Sequence, residues 1–143
     1  MPRLLATAAL AATIAATLAG CASGPPQPTY RSAGNERDFQ HALAGKVAGK
    51  PVDCLQTNYG SNNMQVIDDD TILFLDGRRT YVQRPHGGCS PLGSGHYTLV
   101  TQSFGGQGLC RGDIARVVDL TGGFTVGSCT LDSFFPYERP RRS

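Results

Sequence analysis

The hydrophobic pattern changes twice along the chain, and each change marks a different kind of segment. Residues 4–20 read LLATAALAATIAATLAG, an apolar run without a charged side chain. Residues 21–34 are rich in proline, glycine and serine and contain almost no large apolar side chain, whereas from Asn35 apolar positions recur with a regular period. The chain is therefore predicted to comprise a leader over residues 1–20, a disordered tether over 21–34, one domain over 35–138 and a basic tail over 139–143.

The first periodic segment predicts one short helix. In the stretch ERDFQHALA, Phe39, Ala42 and Leu43 have the i, i+3 and i+4 spacing of a single helix face. Asn35 is predicted to cap the N-terminus of this helix, and Gly45 is predicted to end it.

From Lys50 onward the period changes to two, which predicts β-strands. The predicted strands are Val52–Thr57, Met64–Asp68, Thr71–Asp76, Arg79–Arg84, Tyr97–Phe104, Ile114–Leu120 and Phe124–Thr130. The pairs Asp76-Gly77 and Gly122-Gly123 are tight-turn signals, because glycine adopts the positive φ of a primed hairpin turn. Short strands joined by tight turns predict a mainly β fold, a small antiparallel β-barrel or sandwich with one short N-terminal helix.

The N-terminal segment has the layout of an export signal, with Arg3 ahead of the apolar run. This run is shorter than the roughly 20 residues that a membrane-spanning helix needs. The residues Leu18-Ala19-Gly20-Cys21 resemble the bacterial lipobox, in which the cysteine thiol is acylated. The resemblance implies that Cys21 anchors the chain to a membrane by lipid. Because Ala22 rather than aspartate follows, it also implies an outer-membrane lipoprotein facing the periplasm. The alternative is an ordinary signal peptide with an incidental Cys21.

The cysteine count agrees with an anchor. Acylation of Cys21 leaves four of the 5 cysteines, an even number that an exported domain can use in disulfides. A domain of this size buries a modest core, and each bridge adds about 3 kcal/mol. Three pairings are possible. The preferred one joins Cys54 to Cys89 and Cys110 to Cys129, because these loops are local.

The charge and composition of the chain limit the classes of partner that it can bind. The formal net charge is +2 over 143 residues, which argues against a nucleic-acid binder because such a protein needs a basic face. The absence of tryptophan and the 18 glycines favour a turn-rich single domain.

Several short segments together carry a family resemblance: GKPVDC, VIDDDTILF, GGC, LCRGDIARVVD and GSCTLDSFFPY. They are similar to the pattern of a family of small exported bacterial proteins, many of them lipoproteins, that is classed as a domain of unknown function. The resemblance spans residues 49–137 and includes the four cysteines. It implies an exported, disulfide-bonded single domain and brings no established activity.

Three motifs suggest chemistry but have simpler explanations. The Arg-Gly-Asp sequence at residues 111–113 is predicted to be a turn that precedes a strand. The Asp68–Asp70 run lacks the glycine and the distal glutamate of a calcium loop and is predicted to be a solvated hairpin turn. His86 and Cys89 lack the paired spacing of structural zinc sites. No cofactor and no metal are predicted.

The longest irregular stretch, Arg84–Tyr97, is the candidate partner-binding loop. Its candidate contact residues are His86, Ser94, His96 and Tyr97. The alternative is a passive connection that Cys89 holds in place. The function predicted is a non-enzymatic binding or structural module of the cell envelope, with an envelope protein or the cell wall as partner.

Two other functions are weighed against this one. Membrane-bound lysozyme inhibitors are small β-barrel lipoproteins whose Ser-Gly-rich loop ends in an aromatic residue, and Ser94-Gly95-His96-Tyr97 is similar to that loop. This resemblance implies an inhibitor of a wall-degrading hydrolase. A hydrolase that uses Ser94 and His96 ranks last, since the G-x-S-x-G nucleophile elbow is absent.

Overall fold

The fold is mainly β, with one helix that crosses one face of the largest sheet. The computed structural model describes residues 31–55, 63–101 and 108–141. Its elements are α1 (Ala33–Leu43), β1 (Val47–Ala48), β2 (Cys54–Leu55), β3 (Met64–Asp68), β4 (Thr71–Asp76), β5 (Arg79–Gln83), a 3₁₀ turn (Leu92–Ser94), β6 (Tyr97–Thr101), β7 (Leu109–Cys110), β8 (Ile114–Asp119), β9 (Thr125–Thr130) and β10 (Phe134–Glu138).

The strands form three antiparallel sheets. The large sheet has the order β1-β10-β5-β4-β3, a second sheet has the order β6-β8-β9, and β2 pairs with β7. The mainly β, antiparallel fold with one helix is confirmed, and because the sheets do not close into a cylinder, a sandwich describes it better than a barrel.

Strand β4 explains the layering. Its first four residues, Thr71–Phe74, are all buried, so the strand is covered on both faces. Leu73 packs under the helix with Phe39 and Val82. Ile72 and Phe74 point the other way, into the core beneath the second sheet. Helix, large sheet and small sheets therefore lie in three layers.

The larger core lies between the sheets. Phe134 is fully buried and meets Phe74 edge to face, with ring centroids 5.8 Å apart. Leu99, Ala115 and Val117 close this core from the second sheet.

Strand β10 is missing from the strands predicted above, because Pro136 lies in its middle and proline is disfavoured inside sheets. The carbonyl of Pro136 accepts a hydrogen bond from the Gly49 N–H at 2.8 Å, on the side of β1. In an antiparallel strand the nitrogen of a residue faces the same side as its carbonyl. The proline nitrogen therefore faces Gly49 on the side of the edge strand β1, and no hydrogen bond between β10 and β5 is lost.

The helix starts earlier than predicted. Ser32, not Asn35, is the N-cap, and its Oγ accepts the Asn35 N–H at 3.1 Å. The helix ends at Leu43, and Gly45 follows with φ 70°, as predicted. Arg31 is already bound to Asp68 and Thr71, so ordered structure begins before residue 34, where the tether was predicted to end. The leader, Cys21 and residues 22–30 lie outside the described residues.

Within the described ranges, no helix has the length and apolar character that a membrane crossing requires.

Both disulfides differ from the preferred pairing. Cys54 bonds Cys110, and Cys89 bonds Cys129, over sequence separations of 56 and 40 residues. The first bridge joins directly opposed residues of the β2–β7 pair. The second ties the irregular segment after β5 to β9. The local pairing is wrong because proximity in the fold, rather than along the chain, brings these thiols together.

Candidate partner-binding edge

The predicted partner-binding segment, Arg84–Tyr97, is held firmly in its middle. Cys89 is buried and disulfide-bonded, and Leu92 is buried in the core. The Cys89 N–H donates to the Asp69 carbonyl at 2.7 Å, and the Gly93 N–H donates to Asp69 Oδ1 at 2.6 Å. The passive-connection interpretation therefore fits the middle of the segment, whereas its exposed end at residues 93–96 makes no such anchoring contact with a described residue through its side chains and can meet a partner.

The turn Asp68–Asp70 supplies these anchors, so it is more than the solvated turn predicted from sequence. A Cβ on Gly93 would lie 3.0 Å from the backbone nitrogen of Asp69 and 3.0 Å from its Oδ1. Glycine is thus required at this point for the segment to approach the turn so closely.

Asp68, in the same turn, forms an ion pair with Arg31. Arg31 Nε lies 2.7 Å from Asp68 Oδ2, and one of its Nη atoms donates to Thr71 Oγ1 at 2.7 Å. Burial acts to lower the pKa of Arg31, but hydrogen bonds to Asp68 and then to Glu36 outweigh it and raise this pKa. The start of the folded chain is therefore bound to the turn that also holds the irregular segment.

The four predicted contact residues do not form one cluster. Ser94 and His96 are exposed, and Tyr97 is half-buried against the core where β6 begins. His86 lies elsewhere, because its N–H donates to the Thr130 carbonyl at 2.9 Å and Thr130 pairs with Ile114. Five residues of β8 separate this point from Asp119, about 17 Å at strand spacing. His86 is therefore removed from the site.

The end of the β8–β9 hairpin lies next to His96. The Leu120 N–H donates to the His96 carbonyl at 3.1 Å. Leu120 is 63% exposed and Phe124 is 72% exposed, the two most exposed large apolar side chains described. The edge formed by residues 94–96 and 120–124, named the binding edge below, joins polar and apolar groups on one rim.

Asp119 gives the hairpin end a fixed shape. Its Oδ1 accepts the N–H groups of Thr121 at 2.9 Å and Gly122 at 2.6 Å. Its backbone N–H donates to the Phe124 carbonyl at 2.9 Å, which closes the turn. Leu120 and Phe124 are therefore held in place although they contact little of the core.

Sequence reasoning missed these two side chains because it assigned Leu120 and Phe124 to the ends of predicted strands. Both lie in the turn, outside the ladder of β8 and β9. The available signal was the pair of large apolar residues flanking Thr121-Gly122-Gly123. Apolar residues beside a glycine turn have no core position to occupy.

The other candidate motifs are accounted for structurally. The Arg-Gly-Asp sequence is a turn before β8, as predicted, in which Gly112 has φ 90° and Asp113 Oδ2 accepts the Cys110 N–H at 2.8 Å. Among the residues described, no group of three or more potential metal ligands comes together. Over the same residues, no hydrogen bond joins the Ser94 hydroxyl to the His96 ring, the contact that a serine nucleophile and its base would make.

Comparisons with protein-family models, with curated proteins and with solved structures found no match to this chain. The resemblance to a family of exported bacterial proteins therefore stays a prediction.

Proposed function

We propose that this protein is a lipid-anchored, non-enzymatic domain of the cell envelope that binds a protein partner through the binding edge. The observation that carries the proposal is the exposure of Leu120 and Phe124 on a hairpin end that Asp119 holds in one conformation. Exposed apolar side chains with polar residues around them mark protein interaction sites, and a few well-buried side chains provide most of the binding energy of an interface.

The rigidity of the edge favours binding. An interface loses affinity when loops and side chains must be ordered on association. Here the turn is closed by hydrogen bonds to Asp119, and residues 94–96 begin within the 3₁₀ turn, whose Leu92 is buried. Exposed Ser94 and His96 supply the polar rim that surrounds an apolar centre in such interfaces.

The position of the edge fits a partner close to the anchoring membrane. A cleft of about 330 Å³ is lined by Asn35 of the helix, by Asp68–Asp70 and by Ser94. Arg31, the first described residue, binds the same turn. The lipid on Cys21 and the outer-membrane location are part of the proposal and rest on the lipobox resemblance.

The test compares variants of the full chain in detergent, each carrying a photo-crosslinker at Thr121, in envelope extract. Leu120→Ser and Phe124→Ser are expected to abolish the partner crosslink because they remove the apolar contact. Val47→Ser is the control, since Val47 is 60% exposed but lies on strand β1 of the other sheet. Equal crosslinking by all three variants contradicts the proposal.

A membrane contact by the same side chains would give a different result. In that case Leu120→Ser and Phe124→Ser would weaken binding of the protein to protein-free vesicles and leave the partner crosslink intact. That outcome also counts against the proposal.

Inhibition of a wall-degrading hydrolase is a second candidate, favoured by the exposure of Ser94 and His96 beside the apolar hairpin end. It predicts that micromolar protein slows lysozyme and that Ser94→Ala with His96→Ala weakens the effect. Wild-type protein that leaves lysozyme activity unchanged excludes this candidate.

A further inference from the structure

Arginine side chains gather at the far end of the large sheet, where β4 turns into β5. The Arg139 N–H donates to the Arg78 carbonyl at 3.3 Å, and an Nη of Arg78 donates to the Arg139 carbonyl at 3.3 Å. The predicted basic tail is thus held against this turn up to its described end. Arg78, Arg139, Pro140 and Arg141 line a cleft of about 550 Å³.

Positive charge exceeds negative charge at this end. On the strands that end here, the carboxylates among the described residues are Asp76 and Glu138, and both are register neighbours of Arg79. Glu138 Oε2 lies 2.9 Å from Arg79 Nε. The cations at this end outnumber these two carboxylates, so the balance stays positive; the cations are Arg78, Arg79, Arg139, Arg141 and Lys46.

Lys46 lies close enough to Arg139 to be affected by its positive charge. Its Nζ donates to the Ala42 carbonyl at 2.9 Å and also to the Thr80 hydroxyl. Burial, and after it the charge of Arg139, lower the pKa of Lys46. Cations held this close repel one another, and an anion between them would relieve the repulsion.

We propose that this cleft binds a phosphate group through Arg78, Arg139 and Arg141. A guanidinium group presents its donors in a planar fork that matches phosphate oxygens, and the pair is strengthened by charge. A phosphate monoester carries about −1.5 to −2 charge at pH 7, which suits several cations better than a carboxylate does.

This site is separate from the binding edge. Arg31 and the β3–β4 turn lie at one end of β4 and the arginine cleft at the other, about 17 Å apart at strand spacing. The inference therefore goes beyond the proposed function and can fail or succeed independently of it. The phosphate can belong to a soluble molecule or to a lipid headgroup, which present the same oxygens.

The experiment is calorimetric titration of the full chain in nonionic detergent, at low salt, with two probes. One probe is sodium pyrophosphate, and the other is short-chain phosphatidylglycerol in mixed micelles, with zwitterionic phosphatidylcholine, which has no net charge, as the reference. Arg78→Gln and Arg141→Gln are compared with Arg116→Gln, which removes the same charge from an exposed arginine on β8. Circular dichroism checks the folding of each variant.

Saturable binding of either probe that weakens at least about tenfold in both cleft variants, and not in Arg116→Gln, supports the site. Binding of pyrophosphate identifies a soluble phosphate as sufficient, whereas binding of phosphatidylglycerol alone identifies the headgroup. Arg141 makes no hydrogen bond to a described residue, so its loss does not disturb the fold. No saturable binding of either probe, or equal weakening in Arg116→Gln, overturns the proposal.

Discussion

Replacement of Arg31 by alanine is expected to destabilise the whole domain, although Arg31 lies before the first element. The side chain bonds Asp68 of the β3–β4 turn, Glu36 of the helix and Thr71 of β4. Its guanidinium carbon also lies 4.2 Å from the ring centroid of Phe39. Arg31 therefore joins the helix, the large sheet and the turn that holds the irregular segment, residues 84–97.

The size of the stability loss follows from the burial of the ion pair between Arg31 and Asp68. The side chains of Arg31 and Asp68 are 16% and 17% exposed, so solvent screens this pair little. A hydrogen bond to a charged group contributes about 1.5–3 kcal/mol, and removing one partner leaves the other charge unpaired. The contact with Phe39 adds about 0.5–1 kcal/mol. We expect a total loss of about 3 kcal/mol, or roughly 10–15 °C in Tm for a domain of this length.

The assay is urea denaturation of wild type, Arg31→Ala and the control Arg37→Ala. Arg37 lies on the helix just after Arg31 but is exposed, and among the described residues it bonds the Ala33 carbonyl alone, at 3.2 Å. We expect it to change stability by no more than about 0.5 kcal/mol. A double-mutant cycle with Asp68→Ala should give a coupling of about 2 kcal/mol. Equal losses in the two arginine variants, or a coupling near zero, would refute this reasoning.

Three further outcomes are expected. Limited reduction followed by alkylation and mass spectrometry should open the exposed Cys54–Cys110 bridge before the buried one, and the reverse order would contradict the assignment. Gly127→Ala should cost about 1–3 kcal/mol in urea unfolding, because its Cβ would lie 2.7 Å from the Ser90 carbonyl oxygen, whereas Gly34→Ala should be neutral or stabilising. Hydrogen bonds from Gln40 and then Arg31 lower the pKa of Glu36 from its ordinary 4.5, so its carboxylate favours the folded state above that pH. This contribution is lost as the pH falls through the lowered pKa. The difference in unfolding free energy between wild type and Glu36→Gln should therefore disappear at low pH. A difference that does not change with pH would contradict the lowered pKa.

Features that depend on neighbouring residues could be predicted from the sequence. The hairpin between β4 and β5 follows from alternating apolar residues and the Asp76-Gly77 turn, both of which act within a few residues. The existence of the helix follows in the same way from the spacing of Phe39, Ala42 and Leu43. The turn at residues 111–113 and the use of four cysteines in bridges were also predicted.

Predictions from the local sequence pattern were wrong where the same residues fit two different structures. Ser32 and Asn35 are both good N-caps, and the choice depends on Arg31, which ties the chain to Asp68 from 37 residues away. Pro136 disfavours a strand unless its nitrogen faces away from the sheet interior, and only the place of β10 beside the short edge strand β1 meets that condition.

The candidate site also has features that the sequence shows and features that depend on the tertiary structure. Ser94, His96 and Tyr97 could be singled out because they end an irregular segment, a property of the sequence alone. The hydrogen bond between His96 and Leu120 and the removal of His86 to the opposite end of β8 depend on how β6, β8 and β9 pair.

The helix, the strands β3–β6, β8 and β9, and the turns between them could be read from the amino-acid sequence, because they rest on side-chain periodicity and on glycine in local turns. Tertiary structure alone decided which cysteines bond, where Arg31 is anchored and which exposed side chains share an edge. These outcomes depend on distances between groups far apart in the chain. Packing of the helix and two sheets around Phe74 and Phe134 sets those distances, and no short stretch of residues encodes them.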